Sequence, residues 1–441
     1  MVTSFTAHPV STVRRQFISF PVADFQRTKL QMLSWTNQFN ICCFLDNQRY
    51  NLPHHSFECM AAAGTVQTLA TAAGTAFEQL KQLYEQNRDW LFGHLSYDLK
   101  SETEGLASNN RDHIGFPDLC FFIPEVILQL SEHELLIGTF GDRHETIFHE
   151  INTVEPTYEP DQPLTTPINS RISKPAYIEI IQQLQQHILR GDCYEINFCQ
   201  EFFAENVTID PLQVYNSLSY TSPNPFAAYY KTGQQYLLCA SPERYLKKEG
   251  DRIYSQPIKG TSKRNLQDAG EDVRNKEDLY NSPKDRSENV MIVDLVRNDL
   301  SKICEEASVQ VDELFGVYSF PQVHQMTSTV SGQLRSDIHF VEAIEATFPM
   351  GSMTGAPKKR VMELIEQYEQ TRRGIFSGAV GYITPEGDFD FNVVIRSIMY
   401  NEANKYLSFQ AGSAITFYSD PEKEYEECLL KAAAIKKVLG G

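Results

Sequence analysis

Apolar residues recur along the chain either at alternate positions or every three to four, and the two periods predict its elements. Residues 126–130 (VILQL) and 135–140 (LLIGTF) flank the polar SEHE and predict a β-hairpin. Phe77, Leu80, Leu83 and Tyr84 share one face of a helix over 75–85. A second helix is predicted over 175–190, with Tyr177, Ile181, Leu184 and Ile188 on one face and Gly191 as the stop. The strand YEINFCQEF follows. Residues 376–400 predict two strands around the turn PEGD, and NEANK at 401–405 turns into another. Hairpins repeated between long helices predict an α+β fold on antiparallel sheet rather than a doubly wound one. Prolines at 156, 160, 163, 167 and 175 predict a linker over 154–174. It would join an N-terminal lobe of mixed strands and helices, 1–153, to a larger region, 175–441.

The 441 residues are 41% hydrophobic and 22% charged, enough to bury a large core without staples. Lys and Arg number 39 against 57 Asp and Glu, and the net charge of −18 disfavours nucleic-acid backbones. A small anionic substrate remains compatible, through a locally positive pocket or a bridging cation. Nine scattered cysteines without C-x-x-C predict reduced thiols in a cytoplasmic protein, not a disulfide framework or zinc site. The opening MVTSFTAHPV lacks a basic flank and sustained apolar core, so no secretory leader is expected. No apolar run reaches the roughly 18 residues of a membrane span.

Two helices carry paired acids. In SPKDRSENVMIVDLVRNDL, Ser282 caps, Pro283 opens the helix, and Asp285 and Glu288 share a face. In SDPEKEYEECLLKAAAIKKVL, Asp420 caps and Glu424 and Glu427 repeat the spacing. Two such pairs can converge on a hard cation, or each can simply complement its helix dipole. In GSMTGAPKKRVMELIEQYEQ, Gly351 and Gly355 frame a turn into a helix. Backbone N–H groups at Gly355 and Ala356 there form either an anion site or an ordinary turn. Lys259, in IYSQPIKGT, is either a strand nucleophile with room made by Gly260 or a surface lysine. Glu243, in SPERY, is either a general acid or a solvated loop residue.

Taken together, GDCYEINF, SPERY, QPIKGT, KDRSENVMIVDLVRND, FPMGSMTGAPKKRVMELI, SGAVGYI, VVIRSI and SDPEKEYEECLLKA resemble the chorismate-utilising enzymes. Within them, the resemblance is to the large subunits of aminodeoxychorismate synthase. It is strong over about 170–441 and continues through WLFGHLSYDL at 90–99.

The resemblance implies a four-layer α/β sandwich, with a central active-site cleft between two large, mainly antiparallel sheets. It implies Mg²⁺ between the acidic helices, with Glu288 and Glu427 as direct ligands and Asp285 and Glu424 supporting through water. The metal would hold the ring carboxylate of chorismate. Arg396 and Tyr382 would meet the enolpyruvyl carboxylate, and Thr354, Gly355, Ala356, Gly412 and Gln325 would complete substrate binding. Lys259 would attack C2 while Glu243 protonates the departing 4-hydroxyl. Ammonia would then enter at C4 as Lys259 leaves, giving 4-amino-4-deoxychorismate on the way to para-aminobenzoate and folate. Attack needs a neutral lysine, so burial and the cation are expected to depress its pKa.

Anthranilate synthases usually carry PIAGT where this chain has PIKGT, so Lys259 argues against that branch. Water-using isochorismate and salicylate synthases place a lysine where Glu195 stands, and ammonia-using members usually a glutamine; a carboxylate there can hold ammonium. Gln325 occupies a position usually held by histidine; its neighbour His324 would point to the opposite face of the strand. A non-catalytic homologue is the alternative that Glu195 and Gln325 favour. No cysteine lies in a G-x-C-x-G elbow, so ammonia is expected from a separate glutamine amidotransferase subunit, or from ammonium directly. Relatives bind tryptophan through an L-L-[E/D/H]-S segment, whose nearest match here is Phe44-Leu45-Asp46-Asn47.

Overall fold

The computed structural model describes residues 14–50, 54–156, 167–320 and 323–440. The opening decapeptide and residues 157–166 of the proline-rich run lie outside them. Within the described residues, two antiparallel sheets pack face to face between two helical layers. The first, of twelve strands, runs from Gln16–Pro21 through Glu134–Thr139, Val126–Leu130, Cys59–Ala63 and Ile41–Asp46. It continues through Phe226–Thr232, Gln235–Ser241, Ser397–Asn401 and Tyr406–Ile415 to Glu195–Ala204 and the short Gly355–Ala356. The second, of ten strands, has Ile258–Lys263 towards one edge and Gln67–Thr71 at the other, with Val323–Gln333, Arg244–Glu249, Phe389–Asn392 and Ala379–Ile383 between. Strands from before and after the proline-rich run thus share both sheets.

The periodic segments form the elements they predict. Val126–Leu130 and Glu134–Thr139 pair antiparallel, and helices cover Ala76–Asn87 and Lys174–Leu189. Gly191 takes a positive φ of 83° just past the second helix. Residues 376–400 differ from expectation. They form three strands, and the chain leaves the second sheet at Asn392 to enter the first at Ser397. Arg396 makes the crossing with a left-handed φ of 50°, which a non-glycine residue adopts at a cost.

Alternation along the strands builds the layers. In Ile41–Asp46, Cys42 and Phe44 join the core beneath one helical layer, while Cys43 and Leu45 join the core between the sheets. In Glu195–Ala204, Ile196, Phe198 and Phe202 face the helices. Each large apolar side chain so buried contributes about 1.5–3 kcal/mol. Gly412 lies opposite Cys199 on the neighbouring strand, where a Cβ would collide with the Phe198 carbonyl.

A buried ion pair ties the sheet to the glycine turn. Arg373 donates to Glu369 Oε2 at 2.9 Å and Oε1 at 2.7 Å. It also donates to the carbonyls of Met353 at 2.6 Å and Asn197 at 2.8 Å. Glu369 Oε1 accepts in addition from the Cys199 N–H at 2.9 Å. Truncating Glu369→Ala strands the Arg373 charge and the Cys199 N–H together. The expected loss is about 3–5 kcal/mol, read as a lower denaturation midpoint at unchanged slope; a change under about 1 kcal/mol would refute it.

Candidate active site

The same alternation that sends Ile196 and Phe198 to the helices turns Glu195, Asn197 and Cys199 towards the second sheet. From the second sheet Lys259 reaches across, and its Nζ donates to Glu195 Oε1 at 2.7 Å, with both side chains buried. Gly260 has a φ of +85°, and a Cβ there would lie 2.9 Å from Asp285 Oδ1. Glycine therefore lets the first acidic helix approach the lysine. Burial favours the neutral amine, but the charges of Glu195, Glu288 and Glu243 outweigh it and raise the pKa above 10.5. The ion pair with Glu195 favours the ammonium, whereas the expected depression counted on a neighbouring cation as well as burial.

Glu243 immediately precedes the strand Arg244–Glu249 and is buried. Burial lifts its carboxyl from 4.5 to about 7, partly offset by the Ser352 hydroxyl, Lys259, the Ile258 backbone and Arg396. Near neutrality it carries a proton it can give away. Burial pulls the Arg396 guanidinium down to about 10, against the charge of Glu243. Among the described residues that guanidinium has no hydrogen bond or ion pair, so its donors are unspent.

Tyr382 is not brought to Arg396. The register sets it opposite Asp390 and Phe92, well along the strand from the crossing. Its ring packs among Phe57, Trp90 and Phe92, and its hydroxyl lies by Ser56 and Asp390. Gly355 and Ala356 pair with Ile196 and Glu195 as an edge strand. The Thr354 and Ala356 carbonyls accept from Asn197 and Tyr194 at 2.9 and 2.8 Å, so alternation aims the Gly355 N–H away from the sheet. Gly355 must be glycine: its φ is +142° and a Cβ would strike the Glu195 carbonyl. The Thr354 hydroxyl is spent within the turn, on the Met350 and Gly351 carbonyls. The Gly412 carbonyl accepts from Lys431 Nζ at 3.0 Å. Gln325 is fully buried, pairs in register with Thr261, and neither amide atom has a partner. His324 does face the other way, towards Ser319 and, on the outer helix, Asp272.

The acidic helices span Pro283–Ser301 and Pro421–Val438, capped by Ser282 and Asp420 as their sequences predict. Glu288 Oε1 and Glu424 Oε2 are buried without a hydrogen-bond partner. Hard carboxylate donors of this kind suit Mg²⁺. Yet among the described residues no three His, Cys, Asp or Glu side chains converge closely enough to hold a metal ion. They surround an ammonium instead. Lys284 Nζ lies 3.2 Å from Glu424, 3.6 Å from Glu427 and 3.8 Å from Glu288. The carboxylates suit a divalent cation in donor chemistry, with the half-exposed Lys284 ammonium beside them. Burial pushes Glu288 up to about 7. Although burial also raises Glu427, Lys431, Lys284 and Lys259 draw it down to about 2. Sequence reasoning missed Lys284 and Lys431. Their signal was spacing, four residues before Glu288 and four after Glu427.

A second cavity is lined by Leu45, Asp46 and Asn47 with Arg244, Asp390 and Asn392. The Asp46 carboxylate there is held by Lys29 at 2.7 Å.

The cleft brings together a buried lysine, a carboxyl group raised to about 7, the Arg396 guanidinium and two acidic helices. The family model for chorismate binding enzymes matches residues 41–437, and the chain belongs to that family. It is 35% identical over 350 residues to aminodeoxychorismate synthase component 1 of Escherichia coli, covering 79% of this chain and 76% of the relative. Its identity to the Bacillus subtilis protein of that name is 31%, covering 79% and 76%. Among solved structures, anthranilate synthase component I from Streptococcus pneumoniae superposes with a TM-score of 0.75 at 26% identity, covering 88% of this chain and 95% of the other. The two sheets and their helical layers are the mixed α+β architecture of that fold.

The raised pKa of Glu243 carries a stability cost. Between its ordinary 4.5 and about 7 the folded chain binds more protons than the unfolded one, so this contribution to stability falls as pH rises. Glu243→Gln removes the cost. It is expected to be about 3 kcal/mol more stable than the parent near pH 8, with the gap narrowing towards pH 4.5. Thermal unfolding across that range measures it; equal stability at every pH would refute the assignment.

Proposed function

We propose that this chain is a Mg²⁺-dependent synthase that aminates chorismate to 4-amino-4-deoxychorismate, with ammonia from a glutamine amidotransferase partner. The observation that carries the reading is Lys259, buried in the cleft at 2.7 Å from Glu195 and within the field of Glu243. A reaction adding ammonia directly at C2 has no use for a nucleophile there.

Glu195 takes the ammonium proton of Lys259. The neutral amine attacks C2, the ring electrons shift, and the 4-hydroxyl departs as water with the proton of Glu243. Ammonia then bonds to C4 as the C2–N bond breaks. Lys259 leaves as the amine and regains its proton from Glu195, while the new C4 ammonium returns one to Glu243. The enolpyruvyl ether is untouched. Arg396, with unspent donors, takes the enolpyruvyl carboxylate, and the Gly355 N–H and Gln325 amide are further donors for substrate. Mg²⁺, held by Glu288 and Glu427 with Asp285 and Glu424 in support, would supply positive charge to the ring carboxylate.

Support for an outside ammonia source comes from the cysteines. All nine are free and buried, and burial raises the pKa of each. None is a poised glutaminase nucleophile. The component 1 naming of its relatives agrees with a second subunit. Nine reduced thiols suit the cytoplasm, and no helix of the described residues is long and apolar enough to cross a membrane.

Mass spectrometry of chorismate, Mg²⁺ and ammonium with the purified chain tests the reading. The expected product keeps its enolpyruvyl group and no pyruvate appears. Lys259→Ala should abolish it, and Glu243→Gln should slow it about 10²–10⁴-fold. Anthranilate with stoichiometric pyruvate would overturn the proposal, as would full activity in Lys259→Ala.

A further inference from the structure

Lys284 is badly placed for its own helix. It sits in the first turn, where the macrodipole disfavours a cation, and it precedes Glu288 by four, the weaker order for such a pair. Its surroundings across the helix boundary explain it better. The ammonium lies within 4 Å of carboxylates from both acidic helices. Glu424 depends on it most: its side chain is only 2% exposed, Oε1 accepts from Lys284 at 3.2 Å, and Oε2 has no partner. Glu427 has a second cation in Lys431 at 2.9 Å. Without Lys284, Glu424 would be a buried carboxylate with no counter-charge, beside two more acids. The lysine side chain is 50% exposed, so its head reaches the acids from the solvent side and can withdraw by rotating its own stem.

We propose that Lys284 is a tethered counter-ion of the divalent-cation site. It holds the carboxylates of the two helices together while no metal is bound, and an arriving Mg²⁺ displaces it to solvent. This rests on reading the acidic cluster as a Mg²⁺ site. The consequence is that Mg²⁺ affinity is set by competition with the chain's own lysine, and is weaker than the carboxylates alone would give. The order of helix assembly follows as well: the acidic helix ends are in register before metal arrives.

Titration calorimetry of the full chain with MgCl₂, beside thermal unfolding in EDTA and in saturating Mg²⁺, tests this in Lys284→Met and Lys284→Gln. Methionine keeps the stem and glutamine a polar head, so an effect common to both reports the charge. Both variants should bind Mg²⁺ at least tenfold more tightly. Both should melt below the parent in EDTA and gain more from Mg²⁺. Unchanged or weaker Mg²⁺ affinity in the two variants, with the parent binding normally, overturns the lysine's role alone. A parent chain that takes up no Mg²⁺ overturns it together with the magnesium reading.

Discussion

The charged hydrogen bond from Lys259 to Glu195 spans the gap between the two sheets. Burying an ionised group costs several kcal/mol unless it is paired, so each charge admitted to this layer requires another. The lysine draws on Glu195 and Glu288. Glu288 and its neighbours on the acidic helices draw on Lys284 and Lys431. Glu243, too deeply buried to ionise readily, is kept near the point of giving up its proton. The ionisable groups of the cleft are therefore held as they are by how a charge is tolerated between two apolar sheets.

Backbone geometry makes that arrangement possible. Gly260 lets an acidic helix close on Lys259, Gly355 lets the turn lie against Glu195, and Gly412 lets two central strands approach. The Arg373–Glu369 pair then clamps the turn, the strand and the helix end to one another. Arg396 takes a left-handed φ at the point where the chain changes sheets.

Much of this was legible beforehand, and the failures have specific causes. Capping residues and apolar periodicity are local, so the helices at Pro283–Ser301 and Pro421–Val438 and the hairpin at 126–139 were readable directly. Strand alternation correctly sent His324 away from Gln325. Tyr382 misled because matching a motif gives no register: its strand faces Asp390 and Phe92, far from the crossing. The break at Arg396 was invisible because both flanking strands are equally apolar. The field at Lys259 is not readable from sequence because burial is a local property, whereas carboxylates gathered from separate elements are not.

The sequence by itself determined the elements, the antiparallel α+β class and the residue types of the reactive set, because propensity, capping and alternation act over a few positions. Only the tertiary structure decided which of those side chains meet. It placed Lys259 on Glu195 across 64 residues of chain, and Lys284 on Glu424 across 140. Those pairings set protonation states through Coulomb fields that no local pattern encodes.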